Sequence, residues 1–141
     1  MRLDEAEARA RLAVHDHGVL CTMHPERGVD AVPAVYAVTA DGHIGIPIDR
    51  VKPKASLQLQ REHNLAADPR ATLLIDQWDA TDWTRLWWVR AQLEWCGEQH
   101  ARSEELADLL VAKYAQYADR PFANILVMRI VGLQGWAAAT A

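Results

Sequence analysis

The stretch from Leu86 to Cys96 reads LWWVRAQLEWC. Trp87, Val89, Ala91, Leu93 and Trp95 fall on one side of a period-two alternation, and all are apolar. Leu86, Trp88, Arg90, Gln92 and Glu94 fall on the other, which mixes apolar, amide and charged groups. A β-strand sends successive side chains to opposite faces, so this pattern predicts a strand with one face on a core. The mixed face, with its Trp and Arg, is a candidate dimer or ligand surface.

Working outward, ATLLIDQW upstream reads as a strand, joined to this one by the polar loop DATDW. Nearer the N-terminus, GVLCTMH is a strand and PERGVD its turn. AVPAVYAVT is a second strand, rich in β-branched residues. Asp41-Gly42 signals a hairpin turn, and HIGIPI follows as a third strand. These three are expected to form an antiparallel meander. ANILVMRIVGLQGW is the last strand, with Leu126, Met128, Ile130 and Trp136 expected along one side.

Three helices are predicted between these strands. Asp4 with Glu7 resembles a capping box, opening a helix to about Val14 with Leu3, Ala6, Ala10 and Ala13 at helical spacing. SLQLQREHNLAADP reads as a short helix stopped by Asp68-Pro69. Ser103 is the expected cap of a third helix, whose stripe is Leu106, Leu109, Leu110 and Tyr114. Six or seven strands joined by short turns favour a mainly β, α+β protein. The expected architecture is an antiparallel barrel with about three peripheral helices, not a doubly wound parallel sheet.

The 141 residues suit one domain, 1–141. No run approaches the roughly 18 apolar residues of a membrane helix, and MRLDEAEARARL lacks the apolar segment of a secretory signal. Cys21 and Cys96 are far apart and are read as reduced thiols of a cytoplasmic protein. A formal net charge of −4 argues against nucleic acid as a partner. GxGxxG, GxxxxGK[ST] and GxSxG are all missing, which speaks against a Rossmann site, an NTP-binding loop and a nucleophile elbow. His15-Asp16-His17 is read as a solvated cap, and no metal is expected because no ligand spacing supports one.

Against that acidic background, Arg50, Lys52, Lys54 and Arg61 fall within twelve positions in GIPIDRVKPKASLQLQR, Gly45 to Arg61. Local positive charge in an acidic protein suggests a bound anion. The cluster follows an apolar strand. If Pro53 and Ser56 open a helix, its free N–H groups and dipole favour the same anion. Lys52, Lys54, Ser56 and Arg61 are therefore the candidate ligands of a phosphate. Of the six tryptophans, Trp87, Trp95 and Trp136 are expected in the core. Trp78, Trp83 and Trp88 are harder to bury and are candidates for stacking on a planar ligand or a partner subunit.

The order VPAVYAV, DG turn, GIPID, RVKPK, helix, NLAADPRATLLID and a Trp-rich strand resembles the pyridoxamine 5′-phosphate oxidase-like flavin-binding split barrels. Within them it is most similar to the branch that uses the deazaflavin coenzyme F420. The markers are KPK (Lys52 to Lys54), NLAADPRATLLID (Asn64 to Asp76) and DWTRLWWVRA (Asp82 to Ala91), and the likeness runs from about Leu12 to Trp136.

The resemblance implies a homodimeric split barrel with cofactor sites at the subunit interface. It assigns Lys54 to the cofactor phosphate. It lays the ring system along Pro33, Ala34 and Val35 and along Ile46 to Asp49, including Ile48 and Asp49. It brings the Trp-rich strand, with Trp87 and Trp88, from the partner subunit. Lys52 and Pro53 stand where many flavin mononucleotide (FMN) members carry serine and arginine. The extra lysine suits the phosphate and polyglutamate tail of F420.

The expected activity is hydride transfer between F420 and a small unsaturated or electron-poor substrate. The alternatives are an FMN-dependent oxidase or reductase and a non-catalytic flavin or haem carrier.

Overall fold

The computed structural model describes residues 1–49 and 55–139, with side chains at all of these except 49 and 55–59. In chain order the elements are α1 (Glu5–Val14), β1 (Gly18–His24), β2 (Gly28–Ala34), β3 (Ala37–Val38), β4 (His43–Asp49), α2 (Ala55–Ala67), β5 (Arg70–Gln77), β6 (Trp87–Trp95), α3 (His100–Lys113) and β7 (Phe122–Ala137). The seven strands form one sheet in the order β2-β1-β5-β6-β7-β4-β3, and every pairing is antiparallel. Seven antiparallel strands with three helices fulfil the expected mainly β architecture, and the sheet is that of a split barrel.

The inward face of β6 behaves as its alternation predicts. Val89, Ala91 and Leu93 are buried, and Trp87 and Trp95 pack against the same cluster at its ends. Leu20 of β1, Ala71, Leu73 and Ile75 of β5, Ile44, Ile46 and Ile48 of β4 and Leu126 and Met128 of β7 converge on it. Leu3, Ala8 and Leu12 from the N-terminal region and Leu65 of α2 complete it. Each fully buried leucine here contributes roughly 1.5–3 kcal/mol relative to exposure. A second, smaller cluster lies outside the sheet, where Leu106, Ala107 and Leu110 of α3 pack on Ala37, Ile125 and Val127.

β7 serves two partners. Its first part pairs with β4, from Asp49↔Phe122 to His43↔Arg129, and its second with β6, from Trp95↔Met128 to Trp87↔Ala137. Gln92 pairs with Gly132 but Leu93 with Ile130, so Val131 is an extra residue, a β-bulge. The bulge reverses the side-chain phase. Before it the even-numbered residues Leu126, Met128 and Ile130 face the core; after it Leu133 and Ala137 do. Trp136 therefore pairs with Trp88 on the outer face, instead of joining the core as its spacing from Met128 predicts.

Other expectations need correction. The segment AVPAVYAVT is two strands, β2 and β3, which lie at opposite edges of the sheet, so the first three predicted strands do not form one meander. The break falls at Val35-Tyr36. Tyr36 is fully buried, its N–H donates to the Tyr114 hydroxyl and its carbonyl accepts from Lys113, so side chains stand in for ladder partners. The β1–β2 turn is shorter than PERGVD, because Gly28 with φ +88° already begins β2.

Asp4 caps α1 by accepting from the Glu7 N–H at 2.8 Å, as expected. The buried residues of α1 are Ala8 and Leu12, not Ala6, Ala10 and Ala13; in an alanine-rich helix the one leucine decides which face turns inward. α3 begins at His100, ahead of Ser103, without a side-chain cap, and its Leu109 is exposed.

Among the described residues no helix is long and apolar enough to cross a membrane. Cys21 and Cys96 are both free thiols.

Candidate functional site

The helix α2 meets the β1–β2 hairpin through one buried amide. Asn64 is 1% exposed. Its Nδ2 donates to Thr22 Oγ1 at 3.0 Å and to Asp30 Oδ2 at 2.9 Å, and its Oδ1 accepts from Gln60 Nε2 at 2.8 Å. Arg27 grips the same carboxylate with both Nε and Nη2 at 3.0 Å. The Arg27 guanidinium first, and then the Asn64 amide, hold the Asp30 carboxyl below its usual range, so it stays anionic and paired.

A cleft of about 300 Å³ opens beside this network, lined by Thr22, Arg27, Asp30, Ala31, Val32, Gln60, Arg61 and Asn64. Ala31 and Val32 give it an apolar wall, while Arg27 and Arg61 bring two guanidinium groups. Apolar wall, amides and cations together suit a planar group carrying an anionic tail.

A second cleft of about 400 Å³ lies between the start of α3 and the start of β7, with Glu98, His100, Ser103, Glu104 and Arg120 among its lining. Arg120 is committed there to Asp108 at 2.7 Å and Glu104 at 3.4 Å. Asp49, the last residue of β4, pairs with Phe122 of this second cleft's lining, whereas α2 borders the first cleft.

The expected site residues are distributed as follows. Arg61 lines the first cleft. Lys52 and Lys54 lie outside the described residues, as do the side chains of Ser56 and Asp49. Pro33 is exposed on the outer face of β2, Val35 is half-buried, and Ala34 and Ile48 point into the core cluster. Trp87 packs at the edge of the core, its ring edge-on to His15 at 5.2 Å and capped by the Arg11 guanidinium at 4.9 Å. Trp88 faces outward beneath Arg90.

Thr22, at the cleft, aligns through Ala71 with Leu93. Trp87 is six residues further along β6, roughly 20 Å away at strand rise. One copy of the chain therefore does not bring the Trp-rich end of β6 to Arg61.

Thr22, Arg27, Asp30, Gln60 and Asn64 were not singled out as binding residues by the sequence reading. Their signals are local: Arg27 and Asp30 are three residues apart, Gln60 and Asn64 four apart on one helix face.

Among the described residues no group of three His, Cys, Asp or Glu side chains gathers as a metal site. In the His15–His17 segment, Asp16 Oδ1 instead contacts His17 Nδ1 at 2.6 Å, which is the main cause of its lowered pKa. Tyr36, between β2 and β3, is a packing residue. Its hydroxyl donates to the Leu12 carbonyl at 2.5 Å, and burial pushes its pKa upward.

No protein-family model matches the chain, and no curated protein matches it either. Solved structures do. A conserved hypothetical protein from Mycobacterium tuberculosis superposes with a TM-score of 0.73 at 22% identity, covering 96% of this chain and 86% of that one. An FAD-binding protein from Mesorhizobium loti gives 0.64 at 16% identity, covering 96% and 93%. A haem-binding protein from Mycobacterium smegmatis gives 0.62 at 17% identity, covering 94% of this chain and 57% of that one. At such identities the likeness establishes the shared fold.

Proposed function

We propose that the chain is an oxidoreductase of the flavin and deazaflavin class that uses coenzyme F420 and acts as a homodimer in the cytosol. The observation that carries the reading is the cleft beside α2. There Arg61 and Arg27 flank an apolar wall, and the same helix is entered from the lysine-rich segment holding Lys52 and Lys54. The fold's likeness to an FAD-binding protein supports a cofactor of flavin type. Lys52, set where many FMN members carry serine, adds a second lysine beside Lys54 and supports the more anionic F420.

When bound, the cofactor supplies hydride chemistry, and the protein contributes position and electrostatics. Arg61, with Lys52 and Lys54, holds the anionic tail. Ala31 and Val32 offer an apolar wall to a planar group and exclude water from it. The Arg27 guanidinium offsets the Asp30 charge and the Asn64 amide donates to it, so it repels an anion less than a bare carboxylate would. The substrate is a small unsaturated or electron-poor molecule, reduced without a side-chain nucleophile.

The likeness to a haem-binding protein favours a second reading, a carrier that binds its ligand without turnover. Titrating the apo protein with F420 and with FMN, read by fluorescence, tests the first. F420 should bind at least tenfold tighter, about 1.4 kcal/mol; equal or reversed affinity overturns the choice of cofactor. A single turnover with reduced F420 separates enzyme from carrier.

A further inference from the structure

The outside of the barrel is unevenly covered. α3 packs on β3, β4 and the first part of β7. On the other half, the outward side chains of β2, β1 and β5 stay exposed: Val29 at 61%, Met23 at 38%, Val19 and Leu74 at 37%. The strand register makes them one patch, since Val19 neighbours Pro33 and Leu74, and Met23 neighbours Val29. Across its middle runs a row of smaller or polar residues, Ala31, Cys21, Thr72 and Gln92.

On β6 this middle row is flanked by opposite charges. Arg90 lies two residues to one side of Gln92 and Glu94 two residues to the other, all on the outer face. Arg90 stacks over Trp88 at 5.2 Å and donates from Nη2 to Gln134 Oε1, which holds the guanidinium on this outer face. Glu94, half-exposed, lies 3.8 Å from Arg129.

We propose that a second copy of the chain docks on this face about a two-fold axis crossing at Gln92, so that Arg90 of each subunit meets the partner subunit's Glu94. The proposal rests on the homodimer reading above and adds the face and the pairing. A two-fold axis that lies in the contact plane and crosses the strands sets β6 against its own reversed copy. Residue 92 then faces itself, and the residues two positions either side exchange, as an isologous contact requires. The same operation lays Val19 on the partner's Met23 and Pro33 on the partner's Val29, apolar on apolar. Packed sheets stand about 10 Å apart, a gap that extended Arg and Glu side chains span.

The test is a charge-reversal cycle read by sedimentation velocity, with circular dichroism melts to confirm folding. Wild type is expected to be dimeric at micromolar concentration. Arg90→Glu and Glu94→Arg each set like charges together and should weaken the dimer at least thirtyfold. The double variant R90E/E94R restores opposite charges and should restore the dimer. Arg90→Gln, which removes charge without reversing it, should weaken association less than Arg90→Glu, and it carries the test should the reversal unfold the chain. Dimers unaffected by either single reversal overturn this face while leaving the homodimer reading intact. Single variants that dissociate without rescue in the double variant overturn the pairing. A monomeric wild type overturns both the pairing and the homodimer.

Discussion

Lys113 Nζ lies 4.1 Å from the centroid of the Tyr36 ring and donates to the Tyr36 carbonyl at 3.1 Å. The ammonium thus closes the gap in the sheet where β2 ends and β3 has not begun. The Tyr114 hydroxyl works beside it, accepting from the Tyr36 N–H and donating to the carbonyls of Asp16 and Tyr36. One lysine and two tyrosines hold the break that divides AVPAVYAVT.

Burial lowers the Lys113 pKa to about 8 from 10.5, opposed by the nearby Asp16 charge. Between those values the unfolded chain keeps a proton that the folded chain has released, so stability rises with pH from about 8 towards 10. Because Lys113 is only half-buried, the gain after allowance for screening is about 1 kcal/mol. Above pH 10 the trend reverses, since burial keeps Tyr36 protonated in the folded state while the unfolded tyrosine ionises. Urea midpoints measured from pH 7 to 10 should climb for wild type relative to Lys113→Met; parallel curves would contradict this account.

Asn64→Ala should destabilise the fold by about 2–3 kcal/mol, because it strands Thr22 and Gln60 and removes a charge-assisted bond to Asp30. Equilibrium urea unfolding measures this directly. A loss below about 0.5 kcal/mol would place the amide among surface residues in energetic terms.

Gly45→Ala should cost about 1–3 kcal/mol by overpacking. A Cβ at Gly45 would stand 2.9 Å from Leu106 Cβ and Cδ1 and 3.1 Å from Ile125 Cγ2, where α3 seats on the sheet. Gly132→Ala is the control, since a Cβ there meets only Gln92, at 3.4 Å or more. Thermal melts should separate the two; equal shifts would show that the seating of α3 is not tight.

Lys54→Ala should weaken F420 binding by about 1.5–3 kcal/mol, as for a charged hydrogen bond. Arg61→Gln should weaken it in the same direction, because Arg61 lines the cleft. Fluorescence titration reads both, and unchanged affinity in both variants would move the cofactor elsewhere.

Period-two alternation was legible wherever a strand keeps one phase, as from Trp87 to Trp95, and there the inward face follows the pattern residue by residue. It failed at Val131, because a bulge changes phase without any change in composition, and Trp136 went to the wrong face. It failed also at Tyr36, whose break depends on Lys113 and Tyr114, far away in sequence. Charge clustering drew attention to the neighbourhood of Arg61. The Asn64 network beside it was invisible, since two of its members, Thr22 and Asp30, lie 42 and 34 residues away.

The added residue in β7 also constrains how the chain can change length. Excising Val131 would join Ile130 to Gly132 as regular neighbours, opposite Leu93 and Gln92 as before, so Leu133 and Ala137 would keep their inward face and only the bulge would be lost. Removing Gly132 as well would set Leu133 directly after Ile130, turn it and Ala137 outward, and should be more damaging than removing Val131 alone. At this spot, tolerance of insertions and deletions should follow odd and even number before it follows chemistry.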